Sequence, residues 1–291
     1  MTGIRRQSFD VQTDTGMKLS VNFKGPESDR LEKAVLLVHG SGVGWVYWDI
    51  PVRDYSIMDY LAHRGLDVYA VECRGYGEST KPNGLEVTAI STARDLRSVL
   101  LSIRERSRVE KVGAVGHSSG GTVLLVSAGL YPELLDRLVL IGTPYRSVAP
   151  QFIEYAQMMS DSAKEPGKDY VPNMHYKDIE GRLDTFDEDV VSWYKRVVEE
   201  HYPLIPGGLF PDIVNSPVLS NIKNIMVPTC IVNGSNEYVV GVDDSMEMFK
   251  DLGTPDKCMI MLPGGFHLLF LEQRGHVGLQ ESIYFWITKE H

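Results

Sequence analysis

Ser118 lies in the run Val-Gly-Ala-Val-Gly-His-Ser-Ser-Gly-Gly at residues 112–121, and a second apolar stretch begins at Val123. This order predicts a strand, a sharp turn and a helix, with the serine at the corner. Such a corner presents a hydroxyl, and the glycines two positions away on either side, Gly116 and Gly120, let neighbouring backbones approach. A hydroxyl presented in this way can attack a carbonyl carbon when a base takes its proton.

Three other loops follow apolar runs. Ala34–Val38 leads into His39, Gly40, Ser41 and Gly42; residues 227–232 lead into Asn233, Gly234, Ser235, Asn236 and Glu237; Lys257–Leu262 leads into Pro263, Gly264, Gly265, Phe266 and His267. With the Ser118 corner, these loops resemble those of the α/β-hydrolase superfamily. The resemblance implies Ser118 as nucleophile, His267 as base and Glu237 as the acid that orients it. It also implies the backbone NH groups of Ser41 and Ser119 as oxyanion donors. The superfamily strand usually ends Gly-x-x-Asp, so a glutamate at 237 is a departure. Either acid can hold the histidine tautomer if the backbone accommodates one more methylene. Asp243 and Asp244 are nearby rivals, although Asp244 with Glu247 fits a capping box before a helix at 245–252. His39 and His117 read as structural. Residues 73–79, Cys-Arg-Gly-Tyr-Gly-Glu-Ser, resemble the superfamily's Arg-Gly-x-Gly-x-Ser turn, which shapes the fold.

The positioning elements follow from periodicity. Residues 6–12 and 17–23 alternate with period two and read as a hairpin. Continuously apolar runs at 34–38, 66–72, 112–116, 138–141, 227–232 and 257–262 read as covered strands. Helices are expected at 53–64, 87–103, after the corner, and at 279–289, where Ile283, Phe285, Trp286 and Ile287 should pack. On the 87–103 helix, Arg94, Asp95 and Arg97 read as a solvated face. Strands alternating with helices predict a mainly parallel sheet covered by helices, with the active residues beyond the carboxyl ends of the strands. The resemblance makes it an eight-stranded α/β-hydrolase sheet.

That rhythm breaks after Gly142, Thr143 and Pro144. Two helical stretches, 152–164 and 188–200, lie among prolines and glycines, and the resemblance makes 145–217 a helical cap between core parts 1–144 and 218–291. Trp45, Tyr155, Met158, Met159, Trp193, Phe210 and Phe266 are the candidate pocket residues, with Met174 and Tyr194 as further cap candidates.

At 291 residues the chain can bury a large core, and its formal net charge of -10 disfavours nucleic acid or an anionic membrane as partner. The first 20 residues lack the apolar run of a signal peptide and no 18-residue apolar segment occurs, so a cytoplasmic location without membrane insertion is expected. Cys73, Cys230 and Cys258 lack metal-ligand spacing and read as buried free thiols. Oligomeric state is left open. No cofactor is called for. The leading expectation is hydrolysis of a carboxylic ester of a small to medium, partly apolar substrate through an acyl-enzyme. A lactonase, a carbon-carbon bond hydrolase, an acyltransferase or cyclase, and a non-catalytic small-molecule binding protein are the alternatives. His-Gly-Ser-Gly followed by Gly44 partly resembles the carbon-carbon bond hydrolases, with Val43 where proline is usual. Ser118 weakens dehalogenase and epoxide hydrolase readings, which need aspartate there.

Overall fold

The computed structural model describes residues 3–175, 179, 185–214 and 221–290. Strands β1 (Ile4–Gln12) and β2 (Lys18–Pro26) form the expected hairpin, paired antiparallel from Ile4 opposite Pro26 to Gln12 opposite Lys18. The chain then alternates through β3 (Ala34–Val38), α1 (Ile57–Ala62), β4 (Asp67–Val71), α2 (Ala89–Ser107), β5 (Val112–His117), α3 (Ser119–Leu130) and β6 (Leu135–Ile141). There it leaves the sheet. Residues 145–217 hold α4 (Pro150–Ala163), α5 (Glu188–His201), α6 (Leu209–Val214) and a short antiparallel ribbon of β7 (Tyr170–Pro172) and β8 (Leu204–Pro206). The sheet resumes with β9 (Thr229–Gly234), and α7 (Val242–Asp251), β10 (Lys257–Leu262) and α8 (Gly275–Thr288) complete the chain.

The eight-stranded sheet has the order β1-β2-β4-β3-β5-β6-β9-β10, antiparallel where β2 meets β1 and β4 and parallel elsewhere. Strands β3, β4, β5 and β9 are buried along their whole length, which is why they read as unbroken apolar runs. β10, at the far edge, is half-buried.

Several expectations are corrected. The 53–64 helix shortens to α1 because Arg53 takes a left-handed φ of 44° and Ser56 caps the helix by accepting from the Asp59 NH. Asp95, expected on a wet face, is 0% exposed: it accepts from Arg74 Nε at 2.5 Å and Nη2 at 2.7 Å and is also bonded to Thr15 Oγ1. A buried aspartate needs such partners, and they tie α2 to the Arg74 turn. Asp244 makes no capping box. Helix α7 is capped at Gly241, and the Asp244 carboxylate instead accepts from the NH groups of Tyr145, Arg146 and Ser147 at 2.8 to 2.9 Å. On α8, Ile283, Trp286 and Ile287 are buried but Phe285 is 57% exposed. All three cysteines are free, yet Cys258 is half-buried, its sulfur 3.1 Å from that of Cys230 on the neighbouring strand.

Candidate active site

Parallel pairing brings the carboxyl ends of β3, β4, β5, β6, β9 and β10 to one end of the sheet, and all three chemical side chains lie there. Ser118, directly after β5, adopts φ 52° and ψ -122°, a conformation costly for any residue with a Cβ. Its NH donates to Ile141 O at 2.8 Å, and its Oγ is not used to cap α3. The flanking glycines are required by contact: a Cβ on Gly116 would meet Gly120 O at 2.6 Å, and one on Gly120 would meet Val38 O and His39 O at 2.5 Å.

Glu237 and His267 are joined directly. His267 Nδ1 lies 2.9 Å from Glu237 Oε2 and 3.0 Å from Oε1, and Oε1 also accepts from the NH groups of Val239 and Val240 at 2.8 and 3.3 Å. Burial pushes the Glu237 carboxyl upward, but the His267 charge and hydrogen bond, with the two NH groups, outweigh it and hold the carboxyl below its ordinary range. Glu237 is therefore a carboxylate at neutral pH. The loops carrying the pair are stitched together: Ser235 NH donates to Leu262 O at 2.9 Å and Asn236 NH to Gly265 O at 2.8 Å. Gly142, at φ 49°, leaves room beside them, since a Cβ there would sit 2.9 Å from His267 Nδ1 and 3.0 Å from Glu237 Oε2.

Ser41 and Ser119 are both buried, one after β3 and one at the start of α3. His39 orients the first of them. Its Nδ1 lies 2.7 Å from Gly40 O while its Nε2 accepts from the Cys73 NH at 3.0 Å, so the network assigns the proton to Nδ1. The C=O of Gly40 and the NH of Ser41 share one planar peptide and point opposite ways, so fixing the carbonyl aims the NH. Burial, opposed by the Gly40 carbonyl, lowers the His39 pKa to about 4 and keeps the ring neutral, as this role needs.

His117 is also more than packing. Gly40 NH donates to Tyr47 Oη at 2.6 Å, Tyr47 Oη lies 3.4 Å from His117 Nδ1, and His117 Nε2 lies 3.1 Å from His267 O. The bonds run from the Ser41 loop to the His267 loop. Burial, then the His267 charge, holds the His117 pKa well below its ordinary value, consistent with a neutral ring accepting on one side and donating on the other. The sequence offered no periodic sign of either histidine's role.

A cavity of about 200 Å³ lies beside the pair, lined by Gln151, Phe152, Tyr155, Met174, His175, Tyr238 and Val239. Its neighbourhood is fixed by contacts: the Tyr238 ring is 6.2 Å from that of His267, and His175 packs on Gly42. Of the candidate pocket residues, only Tyr155 and Met174 line it. Met158 is 53% exposed; Met159, Tyr194 and Phe210 are buried in packing; Trp45 and Trp193 pack against the core; the Phe266 ring lies 6.4 Å from that of Tyr238. Helical spacing in α4 could have indicated Gln151 and Phe152, one turn before Tyr155. His175 and Tyr238 lie on loops without a period. A larger cavity, about 520 Å³, is bordered by Lys33, Lys111, Asp136 and Met226 at the amino ends of the strands, opposite Ser118. Among the described residues no group of three or more His, Cys, Asp or Glu side chains could hold a metal ion, and no helix is long and apolar enough to cross a membrane.

The sheet order, the strand-corner-helix at Ser118 and the Glu237–His267 pair define an α/β-hydrolase fold. The sequence model described as Hydrolase_4, serine aminopeptidase S33, matches residues 29–274, and the chain belongs to this hydrolase family. It is 20% identical over 279 residues to a monoacylglycerol lipase of Mycolicibacterium smegmatis, covering 94% of each chain. It is 30% identical over 128 residues to a 2-hydroxy-6-oxononadienedioate/2-hydroxy-6-oxononatrienedioate hydrolase of Paraburkholderia phymatum, covering 44% of this chain and 41% of that one. Among solved structures it is similar to a thermophilic esterase from Thermogutta terrifontis, with a TM-score of 0.73 at 19% identity over 97% of this chain and 98% of the other.

Proposed function

We propose that the chain is a serine hydrolase that cleaves a carboxylic ester of a small to medium, partly apolar substrate. The observation that carries the reading is the Glu237–His267 contact of 2.9 Å beside a serine held at a strained corner. Ser118 Oγ attacks the carbonyl carbon as His267 Nε2 takes its proton. Glu237 holds the Nδ1 proton and stabilises the imidazolium. The NH groups of Ser41 and Ser119 meet the developing oxyanion, which collapses and expels the alcohol as His267 returns the proton. Water, activated by His267, then releases the acid. Residues 145–217 act in this reading as a cap, with α4 and His175 forming a wall of the substrate cavity.

A lactone would follow the same steps. Carbon-carbon bond hydrolysis is the second reading, supported by the P. phymatum relative and the His-Gly-Ser-Gly stretch. Among the described residues the cavity lining holds aromatic rings and no Lys or Arg, which suits an uncharged acyl or alcohol group better than a dioate. The test is intact-mass labelling with a fluorophosphonate on the wild type and on Ser118→Ala, Glu237→Ala and His267→Ala, beside a panel of esters, lactones and a vinylogous keto acid. One adduct at Ser118, weakened in the other variants, with ester turnover, is expected. A folded wild type that takes no adduct overturns the reading, and turnover of the keto acid alone selects the second.

A further inference from the structure

Three consecutive carbonyls of the Ser41 loop are each held by a different side chain. Gly40 O is bonded to His39 Nδ1 at 2.7 Å, Ser41 O accepts from Tyr76 Oη at 2.8 Å, and Gly42 O accepts from Asn173 Nδ2 at 2.5 Å. The first two holders belong to the sheet's own loops. The third belongs to the inserted segment.

Asn173 is built for that task. It is buried at the end of the β7–β8 ribbon, where its NH continues the ladder by donating to Pro203 O at 2.9 Å. Its Nδ2 also donates to Tyr202 O at 2.9 Å, and its Oδ1 accepts from the His175 NH at 3.1 Å. Both amide donors and the acceptor are therefore engaged, which fixes the side chain's direction. The ribbon is rooted in turn: Asp169 Oδ2 accepts from the Gly84 NH at 2.6 Å and Tyr170 Oη donates to Pro82 O at 3.0 Å. Next to Asn173, the His175 ring lies against Gly42, where a Cβ would come within 2.8 Å of it. Tyr202, which ends α5 just before β8, donates its Oη–H to Glu72 Oε2 at 3.0 Å, and Glu72 Oε1 accepts from the Trp45 NH at 3.3 Å at the other end of the loop. The segment thus grips the loop on both sides of Val43.

We propose that Asn173 is a positioning residue for catalysis: by fixing the Gly42 carbonyl it sets the path of the loop that presents the Ser41 NH, so the inserted segment helps to build the oxyanion hole as well as to cover it. The proposal rests on the serine-hydrolase reading. Glycine flanks Ser41 on both sides and gives the loop little stiffness of its own. Without the Asn173 donor the Gly42–Val43 peptide can rotate, and the loop that carries the Ser41 NH keeps only the holds on Gly40 and Ser41, so the NH is placed less closely. A donor must sit where the oxyanion forms, so such a loss acts on the transition state and little on ground-state binding.

The experiment compares the wild type with Asn173→Ala and Asn173→Asp. The second keeps the size and the acceptor for His175 NH but turns an acceptor toward two carbonyls. For each, kcat and KM are measured on the best ester, with the inhibition constant of a boronic acid transition-state analogue, the rate of phosphonylation at Ser118, and thermal unfolding. Both variants are expected to lose about 10- to 100-fold in kcat, with KM within about threefold and analogue affinity falling in step with kcat/KM. A folded variant with unchanged kcat, or with kcat lost and analogue affinity kept, overturns the proposal while wild-type labelling of Ser118 leaves the serine reading standing. If Asn173→Ala fails to fold, Asn173→Asp decides. A wild type unlabelled at Ser118 overturns the serine reading, and this proposal with it.

Discussion

Glu237 carries one methylene more than the usual aspartate, and the extra length lets one oxygen accept from the Val239 and Val240 NH groups while both oxygens face His267 Nδ1. Glu237→Gln keeps the shape but favours the wrong tautomer, and ester kcat is expected to fall by about 10⁴-fold with little change in the unfolding midpoint. Glu72 allows a pH test. Burial, opposed by the Tyr202 and Trp45 hydrogen bonds, raises its pKa from 4.5 to about 7. As pH rises from 4.5 toward 7 the unfolded chain ionises first, so the stability present at low pH is progressively lost and the loss is complete above about 7. Glu72→Gln removes that dependence: its stability relative to the wild type is expected to rise by roughly 3 kcal/mol between pH 4 and pH 8, read by urea unfolding across the range. A flat difference refutes the assignment of Glu72.

At the scale of elements, hydrogen bonds that the periodic pattern does not display join the sheet's loops to the segment after β6. Asp244 gathers three NH groups where the chain leaves the sheet, at Tyr145, Arg146 and Ser147. Asp244→Ala leaves those donors without their acceptor and is expected to cost about 1 to 3 kcal/mol, measured as a lowered urea midpoint. The strands were legible because a strand covered on both faces has no polar side to interrupt it; Ser118 and Glu237 follow such strands, β5 and β9, whereas His267 follows β10, which is half-buried at the sheet edge and was read from its apolar run alone. Asp95 and Asp244 were misread for one reason: each sits where a local rule, a wet helical face or a capping box, describes it adequately, while the partners lie 21 and 80 positions away for Asp95 and 97 to 99 for Asp244. The pocket was largely illegible. Met158, a candidate pocket residue, is 53% exposed and does not line the cavity, whereas His175 and Tyr238, which lie outside the longer helices, do.

For the whole molecule, the net charge of -10 sets a field that repels polyanions. The protein is expected to pass through a heparin column at about 0.15 M salt and to stay in the supernatant when anionic vesicles are pelleted; retention in either assay would reveal a basic face that the net charge conceals. Fold class and chain order of the site needed only local signals. The grip of Asn173 and Tyr202 on the Ser41 loop needed the folded molecule, because its two sides are separated by 130 or more positions.

The pairing of β6 with β9 places Leu138 opposite Thr229, with the whole inserted segment looped out between them. Loop closure must come before such a pairing yields its contacts, and long-range parallel pairings of this kind slow folding. Ser118 precedes the segment that leaves the sheet, and Glu237 and His267 follow it. A refolding chain is expected to regain much of its helix and strand before Ser118, Glu237 and His267 share one site. Recovery of ester turnover is expected to lag behind recovery of the far-ultraviolet signal, measured side by side after dilution from urea.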